Sequence, residues 1–199
     1  MDTYKTIAAP AEGIYKEQGS KFLAFAYPVS SADEVKNLVD TKRKEFHDAR
    51  HVCYAYMLGA ARTEFRSNDD GEPSGTAGRP ILGQINSHQL SDILIVVVRY
   101  FGGILLGTGG LITAYKAAAL EAIAAAEIID SVLESTYAMV FGYEQMNDVM
   151  RIMKEHQLSI LSQSQSLTCK LTFSVRESLE SSVIERLSKI DYVKIEKIP

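Results

Sequence analysis

The chain has 199 residues, 46% of them apolar and 23% charged, and a formal net charge of −4. This composition suits a globular protein with a real core, and the length suits two domains. The acidic balance holds in both halves and excludes generic coating of nucleic acid, which needs cationic contacts that release counterions. The longest apolar segment, Asp92 to Leu106, is interrupted by Arg99, so no stretch reaches the ~20 residues of a membrane span. The first residues lack the basic and apolar regions of a secretory signal. Cys53 and Cys169 fall in separate strand-like runs and make neither a disulfide framework nor a zinc site. The expectation is a cytosolic protein without a membrane partner.

In chain order, Gly13–Tyr15 and Lys21–Val29 read as strands joined by a turn at Gln18-Gly19-Ser20. Ser30 or Ser31 caps a helix, with Glu34 completing a capping box and Val35, Leu38 and Val39 forming the apolar face. His51 to Leu58 is a strand. Residues 67–80, SNDDGEPSGTAGRP, are dense in turn formers and read as a loop. Ile93 to Tyr100 is a continuous β-branched run, the pattern of a strand buried on both faces. After FGGILLGTGG an Ala-rich helix runs from about Leu111 to Ile129; being apolar nearly all round, it is expected to be largely buried.

A boundary falls near Ser131 to Ser135. Beyond it come a strand (Tyr137–Phe141), a helix (Glu144–Gln157) and two strands (Leu158–Ser162 and Leu167–Val175). A helix (Glu177–Ile190) and a last strand (Tyr192–Ile198) complete the chain. The order βαββαβ is the ferredoxin-like split βαβ unit.

Two segments of the first half concentrate chemistry. In the first, Asp69, Asp70, Glu72, Ser74, Thr76 and Arg79 crowd carboxylates, hydroxyls and a cation into one loop. The competing reading is a solvated turn with Asx caps. In the second, Gly102, Gly103, Gly107, Gly109 and Gly110, with Thr108, lie between a buried strand ending near Arg99 and a helix start. Glycines let backbone amides approach a ligand closely, and a helix N-terminus favours an anion. The spacing is neither GxGxxG followed by an acid nor a Walker A, and a tight packed turn explains the glycines equally well. The strand Ile93 to Tyr100 should deliver Arg99 to the edge where the next helix begins. Residues 69–79 and 102–110 are therefore expected side by side, forming one concave polar surface.

His47 and His51 are spaced as HxxxH, but no third ligand is evident and His51 falls in a strand, so no metal is assigned. Cys53 reads as a small core hydrophobe. Nothing resembles GxSxG or SxxK, so catalytic residues stay unassigned and no cofactor is implied.

The blocks Cys53-Tyr54-Ala55-Tyr56, NDDGEPSGTAGRPIL and VVVRYFGGILLGTGGLITAY, in that order, resemble the YigZ/IMPACT family, bacterial YigZ-type. The resemblance implies an α+β protein. Its N-terminal domain, residues 1–133, would be like the second domain of ribosomal protein S5, which contains a left-handed βαβ crossover against the usual rule. Residues 134–199 would be a ferredoxin-like domain similar to the last domain of ribosomal translocases. Eukaryotic IMPACT acts in translational control by binding a ribosome-associated scaffold. The implied partners are the ribosome, RNA or a translation-related protein, bound by a non-enzymatic regulator. The alternative is an enzyme or binding protein for a small phosphorylated or carboxylated ligand held by the Gly-rich loops. Leu105 stands where some members have Lys, and Thr113 where a basic residue often precedes Ala-Tyr, so two positive charges are missing from that site.

Overall fold

The computed structural model describes residues 2–198. The chain forms two compact units: Tyr4–Ser131, and the residues from Val132 onward together with Asp2 and Thr3. Both mix helices with sheet.

In the first unit five strands form a sheet: β2 (Ala11–Glu17), β3 (Ser20–Pro28), β4 (His51–Leu58), β5 (Glu64–Asn68) and β6 (Ile93–Tyr100). Their spatial order is β2-β3-β6-β4-β5, and each adjacent pair is antiparallel. β6 therefore lies mid-sheet, and Ile93 to Val98 are fully buried. Because side chains alternate along a strand, Leu94, Val96 and Val98 face one layer and Ile93, Ile95 and Val97 the other.

The first layer is helix α1 (Ala32–Glu45), seated through Val35 and Val39. Ser31 caps it by accepting the Glu34 N–H at 3.3 Å, while the Glu34 carboxylate reaches back to the Ser30 N–H at 2.8 Å. Such a cap is worth about 1 kcal/mol. The second layer holds α2 (Gly78–Ser87) and α3 (Gly107–Ala125). Gly13 of β2 lets α3 come close, since a Cβ there would stand 2.5 Å from the Ala122 nitrogen.

Three of the boundaries that differ from the sequence reading bear on the site. The loop after β5 ends at Ala77, and Gly78-Arg79-Pro80 opens α2, because proline is tolerated in a first helical turn. α3 begins at Gly107, inside the glycine segment, and ends at Ala125, because Ile128–Val132 forms a strand, β7, that pairs with β1 (Thr3–Ile7). α3 is also one-faced. Leu111, Ala114, Tyr115, Ala118, Ala119, Ala122 and Ile123 are buried, whereas Ile112 and Leu120 are more than 40% exposed. Small alanines let one face pack against the sheet.

The second unit runs β8 (Glu134–Phe141), α4 (Met146–Glu155), β9 (Ser159–Gln165), β10 (Cys169–Arg176), α5 (Glu177–Ser188) and β11 (Lys194–Ile198). Its sheet has the order β11-β8-β10-β9, antiparallel throughout. Cys169, Leu171, Phe173 and Val175 face Val149, Ile152, Met153, Val183 and Leu187 of the two helices in one core. Lys170 and Thr172 alternate onto the opposite face. Glu180 accepts hydrogen bonds from Lys197, Tyr137 and Ser135, which hold its carboxyl down at about 2.

Candidate functional site

The site grows from the end of β6. Arg99 continues the row Ile93-Ile95-Val97, so alternation sends it toward α3, between Phe22 of β3 and His51 of β4 in register. A charge placed at the end of an apolar row needs a partner. Glu72 supplies it: its Oε1 accepts from Arg99 Nη1 at 2.7 Å and from the Tyr115 hydroxyl at 2.8 Å. The two side chains of the ion pair are only 7% and 4% exposed. Tyr115 packs edge-on against Phe22 at 5.1 Å between ring centroids, and its hydroxyl lies 3.3 Å from the Cys53 sulfur. The Cys53 thiol donates to the Asp69 carbonyl at 3.0 Å. Burial raises the pKa of both Cys53 and Tyr115 well above their ordinary values. Cys53 is thus a protonated packing group and not a poised nucleophile.

One valence of this network is open. The Arg99 Nε is buried and has no hydrogen-bond partner among the described residues. Arg99 lines a cavity of about 400 Å³, and so do Glu72 and Pro73 from the first polar loop and Gly107 and Thr108 from the second. Phe101, Leu105, Leu106 and Leu111 supply an apolar wall, and Arg50 and His51 complete the lining. The surface expected to be polar is therefore mostly apolar. α3 starts in this lining on Leu106, which makes no side-chain cap hydrogen bond to the first-turn N–H groups.

The remaining candidate residues lie outside this lining, and their bonds say why. The Asp69 carboxylate accepts the N–H groups of Gly75 (2.8 Å), Ala77 (3.0 Å) and Gly78 (2.8 Å), capping α2 from eight residues upstream of Ala77. Burial pulls its pKa up, but those donors and Arg79 outweigh it and hold the carboxyl below its ordinary range. Asp70 accepts from the Val52 N–H at 2.8 Å and pairs with Arg43 at 2.9 Å, fastening the loop to β4 and α1. The Thr76 hydroxyl donates to the Pro73 carbonyl at 2.6 Å. Ser74 and Arg79 are exposed.

Gly102 packs so closely on the β2–β3 turn that a Cβ would stand 1.9 Å from the Gly19 carbonyl carbon. Gly103 has φ +88° and open space around it. Gly109 and Gly110 lie in the first turn of α3. Tyr115, Phe101, Leu106 and Leu111 are not visible as site residues in the sequence, because their apolar character reads as core. Arg99 is a predicted site residue, and parity along β4 is the signal for His51, which stands opposite it in register. Among the described residues, no group of three or more His, Cys, Asp or Glu is arranged to hold a metal ion.

Residues 18–123, just over half of the chain, match the family described as the Impact N-terminal domain. IMPACT family member YigZ of Escherichia coli is 39% identical over 125 residues, covering 62% of this chain and 61% of that protein. A Haemophilus influenzae family member is 33% identical, covering 79% of this chain and 78% of its own length. YvyE of Bacillus subtilis is 32% identical over 79% of this chain and 72% of its own. The chain belongs to the IMPACT family. A crystal structure of a hypothetical protein superposes with a TM-score of 0.73 at 27% identity, covering 100% of this chain and 98% of that one. Among the described residues no helix is long and apolar enough to cross a membrane.

Proposed function

We propose that the protein is a non-enzymatic regulator that associates with the translation machinery, with the Arg99 cavity as its recognition site. The carrying observation is the buried Arg99–Glu72 pair: Arg99 lines the cavity, and its Nε has no hydrogen-bond partner among the described residues. A desolvated guanidinium held in place is a preorganised recognition element, and the neighbouring thiol and phenol are too firmly protonated for nucleophilic work. Translation is drawn from kinship. The family includes eukaryotic IMPACT proteins, of which this chain matches about a third or less of the length in Dictyostelium discoideum and Rattus norvegicus. Ribosome, RNA and a translation-related protein are the candidate partners.

Two finer structural readings belong to the same proposal. Residues 1–133 take the fold of the second domain of ribosomal protein S5, supported by β3-α1-β4 crossing over β6. Residues 134–199 are a ferredoxin-like domain, supported by the βαββαβ order and the antiparallel sheet β11-β8-β10-β9.

The test is sedimentation of cell lysate through a gradient. The protein is expected in the ribosomal fractions at low salt and, if surface charges guide the contact, to move toward the free pool as salt rises. A protein that stays with free soluble proteins at every salt concentration overturns the association.

A second reading, a small phosphorylated or carboxylated ligand in the same cavity, is favoured by the uncapped start of α3 beside Arg99.

A further inference from the structure

We infer that the Arg99 cavity binds a carboxylate carried next to a short apolar group, such as the terminus of an N-acylated leucine. The inference rests on the reading of this cavity as the recognition site and specifies what it recognises.

Three independent features converge. The first is the guanidinium. With Nη1 spent on Glu72, the free edge of Arg99 carries Nε–H and the adjacent Nη2, the side-on fork that matches the two oxygens of a carboxylate. Its buried Nε lacks a partner among the described residues, and buried donors are satisfied in nearly all native structures. The second is α3, a helix of 19 residues whose first turn starts on an uncapped Leu106 and presents Gly107 and Thr108 to the cavity. Its orphan N–H groups and positive dipole end favour an anion at that spot. The third is the wall. Phe101 and Leu105 are 49% and 86% exposed and, with Leu106 and Leu111, line the space beside the two anion donors. An apolar group attached to the anion would cover them.

Charge selects carboxylate over phosphate. Glu72 already neutralises Arg99 and forms part of the lining. What remains is the single positive charge of Arg50 and the fractional charge of one helix terminus. That suits a monoanion; a dianion would bring a second charge against Glu72. A volume of about 400 Å³ lies within the usual range for small-molecule sites. The same chemistry is offered by a free N-acyl amino acid and by the C-terminus of a peptide ending in an apolar residue.

The experiment uses the full chain and follows thermal unfolding and calorimetry. N-acetyl-L-leucine, its amide, inorganic phosphate, and an eight-residue peptide with a free C-terminal leucine are titrated in parallel. The acid should raise the melting temperature progressively, as linkage requires, and bind at least about tenfold more tightly than amide or phosphate, a difference of roughly 1.4 kcal/mol. Tighter binding of the peptide than of the free acid identifies a protein C-terminus as the source; exclusion of the peptide identifies the small acid.

Thr108→Asp plants a carboxylate in the exposed first turn of α3. The dipole there favours it, so the ligand-free melting temperature should hold or rise, while binding of the acid falls at least about tenfold. Equal binding of acid and amide, stronger binding of phosphate, or unchanged binding by Thr108→Asp overturns the inference. If no acid binds but Thr108→Asp still leaves the ribosomal fractions, the carboxylate assignment falls and the recognition site stands. If neither readout responds, both fall.

Discussion

The two glycine-rich segments of the first unit look alike in sequence, and the structure puts them to opposite uses. Residues 69–79 are closed on themselves. Asp69 collects three backbone N–H groups, Asp70 ties the loop to Val52 and Arg43, and Thr76 bonds to Pro73. The segment from 102 to 110 is open. Gly103, Gly107 and Gly109 have nothing within 4 Å of where a Cβ would stand, and α3 begins there without a side-chain cap. Composition does not separate a structural loop from a binding loop; the destination of the hydrogen bonds does. One segment supplies the buried carboxylate that holds Arg99, and the other supplies the free donors.

The largest expected effect marks the limit of that contrast, because Gly102 belongs to the open segment by sequence and to the packed structure by contact. A methyl at Gly102 would sit 1.9 Å from the Gly19 carbon and 2.1 Å from the Ser20 nitrogen, both of them backbone. Neither atom can turn aside as a side-chain end would. Gly102→Ala should destabilise the first unit by about 3 kcal/mol or more, at the upper end for overpacking, as read by urea unfolding. A loss under about 1 kcal/mol would show that the β2–β3 turn yields easily.

The closed loop should respond through Asp69. Asp69→Asn keeps one acceptor oxygen but loses the charge and the second acceptor shared among Gly75, Ala77 and Gly78. A destabilisation of about 1–2 kcal/mol is expected for weakening such charge-assisted bonds. The pH dependence carries the same information. The folded-state pKa of Asp69 lies below its ordinary value of 3.8, so its contribution is full above that value. It is lost as pH falls through the lowered one. The stability difference between wild type and Asp69→Asn should therefore narrow under acid. A difference independent of pH between 5 and 2 would mean that the charge contributes nothing.

How much of this is legible in the sequence depends on whether a residue's role is local. Ser31 and Glu34 cap α1 through contacts three and four residues apart, and the sequence displays them as a pattern. The alternation of β10 shows which face is core because polar Lys170 and Thr172 interrupt it. β6 hides the same information: Ile93 to Val98 are all apolar, so only parity tells that Arg99 shares a face with Val97. Asp69 capping α2 across eight and nine residues was beyond any local signal, and so was the meeting of Glu72 with Tyr115, 43 positions apart. The crowd of polar groups pointed to the neighbourhood. It could not say that Asp69 and Thr76 bond within the loop and Asp70 to β4 and α1, while Glu72 joins Arg99 beside the cavity. The start of α3 at Gly107 was hidden for a related reason, since glycine is a poor helix former and tertiary packing overrides its propensity here.

The smallest effect is the sharpest test of why the second segment is open. Gly109 lies inside α3, has no positive φ and meets no atom within 4 Å of a built Cβ. Alanine at such a position loses less backbone entropy on folding and is a better helix former. Gly109→Ala should therefore stabilise the first unit by about 0.5–1 kcal/mol, a shift that thermal unfolding resolves. Gly110 is the internal contrast, because a Cβ there would approach the Leu106 side chain to 3.0 Å and should gain less. If the open glycines serve the close approach of a ligand to the first turn, Gly109→Ala should weaken anion binding while it strengthens the fold. That opposition separates function from turn chemistry: a stabilised protein with undiminished binding would leave Gly109 no role in recognition, and the openness of the segment would then rest on Gly103 and Gly107, where φ of +88° and +68° already calls for glycine.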